Sequence, residues 1–493
     1  MLFIVITAVL IAFSYEPPSD AERITGTTIA LVGVATAIAS NWLLAEAFAW
    51  LTVRRLKRAF ERSGSIMRSY QRMRWLHTGV LLGSYAGVIH GFDWPGVVRV
   101  SWGLERWVLV DDLLVLAPFL AGLLLSWLAH FRVDELMRTR LESPQVHPPR
   151  WSSRWHHVDF HLRHHLGVVL VPLLVLVTVQ DTVALIFQGS SSKSVVELGA
   201  GVAGLGAILI FAPVLLRFLW RAEPLPAGPL RERLEQLSRR LRFRSSGILI
   251  WNTHGAVINA AVAGILPWPR YVMLSDALLT HMSDDEIEAV FGHEVGHVRH
   301  HHLRFFIAFL MGASSFLFIS VTAAGRLLDR FLGEGAAEQV LSQAQGLALP
   351  FACLAVYFGL FFGFLSRRFE RQADIFGCRV VSCNRVDCPP NHSPNDWSRN
   401  DPPLCPAGVH TFVRALEKIA ELNGAVRDAR SWRHFSIAKR VAFLEQLATR
   451  PEIERSFHRV VLLLKVLVIV ALAGGAWFVW YHSSDMAREV LRW

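Results

Sequence analysis

A His-Glu-x-x-His segment, HEVGH, occupies positions 293–297 of the chain. Two histidines four positions apart lie on one face of a helix, where both imidazoles can bind one zinc ion. A glutamate beside them can take a proton from the attacking water and return it to the leaving amine. The segment therefore predicts a site for one zinc ion per chain, with His293 and His297 as ligands and Glu294 as the catalytic base.

The residues before HEVGH predict the helix that this site needs. Ser283-Asp-Asp-Glu286 has the spacing of a capping box, with Ser283 as the N-cap, and the apolar residues Ile287, Val290 and Phe291 follow at helical spacing. The run His300-His301-His302 is expected to continue this helix toward the membrane.

A catalytic zinc site needs a third protein ligand and an open position for water. The segment SRRFERQAD at positions 366–374 offers Glu370 as that ligand, and Asp374 is placed to orient a ligand histidine through its second ring nitrogen. The alternative for Glu370 is an ion pair with Arg367 or Arg371 at the membrane interface.

HEVGH, two apolar segments and then SRxxExxAD resemble the membrane zinc peptidase family that contains the HtpX heat-shock proteases and the integral-membrane CAAX prenyl proteases. The resemblance covers about residues 230–450. It implies zinc ligation by His293, His297 and Glu370, catalysis by Glu294, and a supporting role for Asp374.

The same resemblance implies two substrate-facing segments. Asn259 and Ala260 match a strand that edges the cleft, and the segment from His434 to Arg440 is similar to a His-Pro segment that ends in a substrate-facing arginine. Phe435 replaces the usual proline, so the conformation around His434 departs from the family pattern. His434 and Arg440 are expected to stabilise the oxyanion.

Composition points to a membrane protein, since 53% of the 493 residues are hydrophobic and only 18% are charged. The formal net charge of +10 comes mainly from arginines that flank apolar runs, so it favours membrane topology over nucleic-acid binding. The expected partners are the lipid bilayer and protein or peptide substrates that are membrane-associated.

Nine apolar runs are predicted as spans: 1–15, 28–53, 76–92, 107–130, 165–187, 196–220, 303–324, 346–365 and 459–481. The first is predicted to be a retained anchor rather than a signal peptide. Segments 54–74 and 132–163 hold eight and six basic residues, whereas the alternate connecting segments hold at most two. The positive-inside rule then puts residues 221–302 and 366–458 in the cytoplasm.

These segments define the predicted architecture, a mainly α polytopic membrane protein with a cytoplasmic zincin-like α+β peptidase domain. Residues 1–220 form an N-terminal membrane region of about six spans. Residues 221–302 and 366–458 form the peptidase domain, which includes a small sheet and is split by a transmembrane hairpin at 303–365. Residues 459–493 form a last span and tail.

Two further clusters have no assigned role. Five cysteines lack a CxxC pair, so the Cys378 to Cys405 cluster is expected to hold free thiols, with a structural zinc site as the alternative. The His156 to His165 cluster is expected to be an interfacial helix end, and the alternative is a metal- or pH-sensing site.

The predicted function is zinc-dependent endopeptidase action on membrane proteins in quality control, at the bacterial cell membrane and from its cytoplasmic side. One alternative is processing of lipidated C-termini, as in the CAAX prenyl proteases. Another is an inactive membrane scaffold or transporter.

Overall fold

A computed structural model describes residues 2–15, 26–140, 153–188, 190, 193–255, 257–333, 335, 353–354, 356–382, 404–423, 427–428 and 435–490. The chain divides into two compact units. The first comprises Met1–Glu223 with Trp251–Ala256, and the second comprises Pro224–Ile250 with Val257–Trp493.

The described part of the first unit is mainly helical, as its long apolar runs require. A π-helical segment, Leu162–Gly167, joins two of its helices into one continuous rod. The helices are α1 (Leu2–Phe13), α2 (Thr27–Arg58), α3 (Ser63–Ala86), the single turn α4 (Trp94–Gly96), α5 (Val110–Arg140), α6 (Arg154–His161), α7 (Val168–Ile186) and α8 (Lys193–Leu219).

The histidines around α6 are engaged in local contacts. His157 Nε2 lies 3.1 Å from Asp134 Oδ2, and His161 Nδ1 lies 2.9 Å from the carbonyl oxygen of His157. His164 Nε2 accepts a hydrogen bond of 2.8 Å from the Trp251 indole. These contacts give three of the clustered histidines structural partners within the first unit.

Among the described residues, six helical segments are long and apolar enough to cross a membrane: Thr27–Arg58, Val110–Met137, Arg154–Ile186, Val195–Leu219, His302–Leu332 and Glu452–Phe478. They coincide with six of the nine predicted spans. The helix within 1–15 has only 12 residues, and the predicted span 76–92 begins inside α3 and enters a π-helical segment at Gly87–Gly91. Part of the predicted span 346–365 lies outside the described residues.

A small sheet lies at the start of the second unit, in the region where the sequence predicted one. Its strands are β1 (Glu223–Pro224), β2 (Gly247–Trp251), β3 (Ala260–Ala263) and β4 (Tyr271–Ser275), in the order β1-β2-β4-β3. β3 pairs with β4 in antiparallel register, with Ala260 opposite Leu274 and Val262 opposite Val272. β4 is buried along its whole length, and β3 occupies one edge.

Helices follow the sheet in the described part of the second unit, after one helix between β1 and β2. They are α9 (Pro229–Arg240), α10 (Asp276–His281), α11 (Asp284–Arg299), α12 (His302–Leu332), α13 (Gly363–Val380), α14 (Pro406–Leu422), α15 (Ile437–Thr449) and α16 (Pro451–Val490). The core of this unit is apolar and includes Leu274 from β4, Phe291 from α11, Ile375 from α13, Phe412 from α14 and Leu444 from α15.

Candidate active site

α11 begins at the predicted capping box. The Ser283 side chain accepts from the Glu286 backbone N–H, and the Ser283 backbone N–H donates to Glu286 Oε2 over 2.9 Å. Ile287, Phe291 and Val295 are almost fully buried along the helix. This anchored face fixes the rotation of α11 about its own axis, so the HEVGH side chains have a defined direction.

α13 lies close against α11 because glycines stand at the contact. A Cβ atom at Gly292 would come within 2.8 Å of Val380 Cβ, and one at Gly296 would come within 3.2 Å of Ala373 Cα. Such distances are shorter than ordinary carbon–carbon contacts. The two glycines therefore permit the approach that brings Glu370 beside the histidines.

Three candidate ligand atoms converge at this contact. His293 Nε2 and His297 Nε2 lie 3.3 Å apart. Glu370 Oε2 is 3.8 Å from His293 Nε2, and Glu370 Oε1 is 3.8 Å from His297 Nε2. Their side chains are between 12% and 24% exposed, so the group is sheltered and still reachable.

The donor set fits a catalytic zinc ion. Nitrogen ligands placed about 2.0–2.1 Å from a tetrahedral ion are about 3.3–3.4 Å apart, which is the spacing of the two histidine nitrogens. Two imidazoles with one carboxylate also leave a fourth position open, as a catalytic site requires. His293, His297 and Glu370 would hold such an ion.

The Glu294 side chain extends from α11 to the edge strand β3. Its Oε2 accepts a hydrogen bond of 3.2 Å from the backbone N–H of Val262 in β3. Burial raises the pKa of Glu294 to about 7, while the His293 ring opposes that rise and the Glu370 carboxylate adds to it. A carboxyl group whose pKa lies near neutrality can both accept and release a proton.

Asp374 supports His293 from behind. Its Oδ1 lies 3.0 Å from His293 Nδ1, close in distance although not aligned as an ordinary hydrogen bond. Arg440 of α15 donates to both Asp374 oxygens, over 2.8 Å and 2.5 Å. Burial alone would raise the pKa of Asp374, but the Arg440 guanidinium lowers it. The pKa lies below its ordinary value as a result, so the carboxylate stays ionised.

The sequence did not predict the pairing of Arg440 with Asp374, because the two residues are 66 positions apart. Arg440 was expected to face substrate. Its Nη2 also lies 4.0 Å from Glu370 Oε2, an oxygen of a candidate ligand. The guanidinium therefore lies behind the ligands, where it braces Asp374.

Asn259 and Ala260 lie at the start of the edge strand. The Asn259 backbone N–H donates to Ser275 Oγ over 3.0 Å, and its carbonyl accepts from the Ser275 N–H. Because hydrogen bonding alternates along an antiparallel pair, the N–H groups of Ala260 and Val262 point away from β4, on the side where Glu294 lies. His434 lies outside the described residues.

The sequence missed one buried histidine. His302 was expected to continue the helix that carries HEVGH. Instead, α11 ends at Arg299 and α12 begins at His302, because His301 between them adopts a left-handed backbone conformation with φ of 59°. His302 is 1% exposed and its Nδ1 lies 2.9 Å from His297 Nδ1. The run of three consecutive histidines was a sequence signal that could have drawn attention to His302. The break between α11 and α12 had no such signal in the sequence.

The described cysteines are free thiols. Cys378 and Cys405 are buried, and Cys353 is half-buried. Cys383 and Cys388 lie outside the described residues, so the predicted roles of the whole Cys378 to Cys405 cluster stay predictions.

The part of the chain that carries HEVGH and SRRFERQAD is similar to known proteins. Residues 224–389 match Peptidase family M48. The chain is 29% identical over 178 residues to a CAAX prenyl protease 1 homolog of Arabidopsis thaliana, covering 35% of this chain and 40% of the relative. It is 33% identical over 139 residues to Protease HtpX of Xylella fastidiosa (strain 9a5c), covering 27% of this chain and 46% of the relative.

A solved structure, that of S. mikatae Ste24p, aligns with a TM-score of 0.46 at 16% identity, covering 84% of this chain and 98% of that one. The chain spans less than half the length of the two curated relatives described above. The match to Peptidase family M48 and these relatives together confirm the predicted resemblance to the family of the HtpX proteases and the CAAX prenyl proteases.

Proposed function

We propose that this chain is a zinc-dependent endopeptidase of the membrane. The observation that carries the proposal is the convergence of His293, His297 and Glu370, whose ligand atoms all lie within 4.8 Å of one another. Glu294 lies beside them with a pKa raised to about 7 by burial. The same residue types at these spacings resemble the peptidase family that the comparisons identify.

Bound zinc would supply Lewis-acid chemistry at the scissile carbonyl and would lower the pKa of water. Glu294 takes one proton from the attacking water as its oxygen forms the new bond to the carbonyl carbon. The same carboxyl group then delivers that proton to the amide nitrogen as the C–N bond breaks. The water's second proton stays on the new carboxyl group and then passes to the amine, so the products are a carboxylate and an ammonium group.

Other residues hold the participants in place. The Val262 N–H fixes one Glu294 oxygen, and Asp374, braced by Arg440, orients His293. β3 offers an extended substrate the N–H of Ala260 at the sheet edge, beside Asn259. His434 completes the proposal as an oxyanion donor, with Arg440 assisting from behind Glu370.

The proposed setting is the bacterial cell membrane, with the site on the cytoplasmic side and with membrane-associated proteins as substrates in quality control. Six candidate spans and the alternation of basic segments support this setting. The relative named a CAAX prenyl protease 1 homolog favours a second candidate, cleavage near a lipidated C-terminus.

Hydrolysis of a fluorogenic peptide by the purified protein in detergent tests the proposal. Activity should disappear after dialysis against a chelator and return with about one equivalent of zinc. Hydrolysis that survives complete metal removal would contradict it. A prenylated and an unprenylated peptide of the same sequence separate the two candidate substrates, since a strict requirement for the lipid would favour C-terminal processing.

A further inference from the structure

His302 lies directly behind the candidate ligand His297. Its ring stacks on Phe369 with a centroid distance of 4.2 Å and an interplanar angle of 5°. One ring nitrogen, Nδ1, lies 2.9 Å from His297 Nδ1, and the other, Nε2, lies 3.0 Å from Gln372 Oε1. Both nitrogens of this buried ring therefore have a polar partner.

The contacts continue from Gln372 to α16. Gln372 Nε2 lies 3.1 Å from His458 Nδ1, and His458 Nε2 lies 3.4 Å from Glu454 Oε1. Lys465 Nζ donates to Gln372 Oε1 over 3.3 Å and to the carbonyl oxygen of His300 over 2.8 Å. A continuous line of polar atoms thus joins α16 to His297.

Lys465 sets the direction of the hydrogen bonds. An ammonium group has donors and no acceptor, so the Gln372 atom that it meets must be the amide oxygen. This oxygen only accepts hydrogen bonds, so His302 Nε2 must carry a hydrogen and donate it to Gln372 Oε1. The amide nitrogen of Gln372 donates to His458 Nδ1, which leaves the His458 Nε2–H directed at the carboxylate of Glu454.

This direction reaches the candidate metal ligand. A neutral His302 that carries its hydrogen on Nε2 has a bare Nδ1, so it accepts from the Nδ1–H of His297. His297 then has a bare Nε2, and that is the atom 3.3 Å from His293 Nε2. The opposite direction would place a hydrogen on His297 Nε2, where it would block ligation.

We infer that His302, Gln372 and Lys465 are positioning residues that lock His297 in the tautomer able to bind a metal ion through Nε2. The inference rests on the proposed metal site and deepens it. The carboxylate of Asp374 supports His293, whereas the neutral side chains of His302 and Gln372 support His297 and lead to α16.

Metal affinity tests this role without relying on turnover. His302→Phe keeps a ring against Phe369 and removes the acceptor, so zinc and cobalt affinity should fall by about 10–100-fold, as for other residues that orient metal ligands. The absorption spectrum of the cobalt-loaded variant should also change. His301→Asn is the matched control, because His301 is exposed and asparagine tolerates its left-handed backbone, and its affinity should stay unchanged.

A second pair of variants tests the direction of the chain. Gln372→Glu keeps a strong acceptor for both His302 and Lys465, whereas Gln372→Met keeps similar bulk with only a weakly accepting sulfur. The glutamate variant should retain near wild-type metal affinity, and the methionine variant should lose about tenfold. This pair decides the question if His302→Phe fails to fold.

Chelator competition with purified full-length protein distinguishes the outcomes. Wild-type protein that binds no stoichiometric zinc would overturn the proposed metal site together with this inference. Wild-type binding with unchanged affinity in folded His302→Phe would overturn the inference alone. Equal affinities for Gln372→Glu and Gln372→Met would overturn the assigned hydrogen-bond direction.

Discussion

Glu286 links the start of α11 to α14. Its side chain is 4% exposed, completes the capping box with Ser283, and accepts from Arg414 Nε over 2.9 Å and Lys418 Nζ over 3.1 Å. The capping box spans three residues and could be predicted from the sequence. The basic partners lie more than 120 positions away, and a charge pattern gives no means of finding them.

This arrangement predicts an acid-sensitive contribution to stability. Burial raises the pKa of Glu286, but the Ser283 N–H, Lys418 and Arg414 together lower it below its ordinary value. The folded state therefore binds fewer protons than the unfolded state. The stabilisation is present above the unfolded pKa of about 4.3 and is lost as pH falls through the lower, folded value.

Glu286→Gln should lower the free energy of unfolding by about 1–2 kcal/mol at pH 7, less than for a fully buried pair because Arg414 and Lys418 are partly exposed. The difference from wild type should shrink toward pH 4. Thermal unfolding at both pH values measures it, with the exposed Glu445→Gln as control. A difference that does not depend on pH would refute the ionic contribution.

The contact between the helices α11 and α13 depends on Gly292. Alanine at this position would place its Cβ 2.8 Å from Val380 Cβ, so the helices must separate or Val380 must shift. Overpacking of this kind costs about 1–3 kcal/mol, partly offset by about 1 kcal/mol of helix propensity. Because α13 carries Glu370, we expect weaker zinc binding as well.

A double variant tests whether the clash is the cause. Val380→Gly removes the Cβ that the new alanine would meet. Gly292→Ala should therefore lower the unfolding temperature less in the Val380→Gly background than in the wild-type protein. If the double variant loses the sum of the two single-variant losses, the contact with Val380 does not limit the packing.

Sequence periodicity and the capping box predicted α11, since neighbouring residues specify both. Neither signal predicted where α11 ends, because the left-handed His301 breaks an otherwise helical pattern for reasons that lie in the tertiary structure. The partners of His302 on α13 and α16 depend on the same break. Motif spacing found the candidate ligands, whereas the groups behind them required the packing of distant helices.

Hydropathy predicted nine spans, and six of them coincide with long apolar helices in the part of the chain that the structure describes. The run at 1–15 forms a helix of 12 residues, and the run at 76–92 shares its helix with the basic residues Arg68, Arg72 and Arg74. Hydropathy reports how apolar a window is and carries no information on where a helix begins. The six candidate spans have apolar windows that lie within helical segments of at least 25 residues.

The alternation of basic segments gives a prediction about orientation. A reporter fused after Arg74 or within 380–410 should read cytoplasmic, and one fused after Gly333 should read external. Paired phosphatase and fluorescent reporters measure this in cells. A cytoplasmic reading after Gly333 would contradict the hairpin that returns Glu370 to the side of His293.

Two glutamates of one site have different roles in the proposed mechanism. Zinc content and hydrolysis, measured together on Glu294→Gln and Glu370→Ala, test these roles most directly. Glu294→Gln should retain about one zinc per chain and lose peptide hydrolysis, because Glu294 transfers protons and does not ligate. Glu370→Ala should lose both zinc and hydrolysis, because it removes one of three ligands. Equal zinc content in the two purified variants would contradict the account.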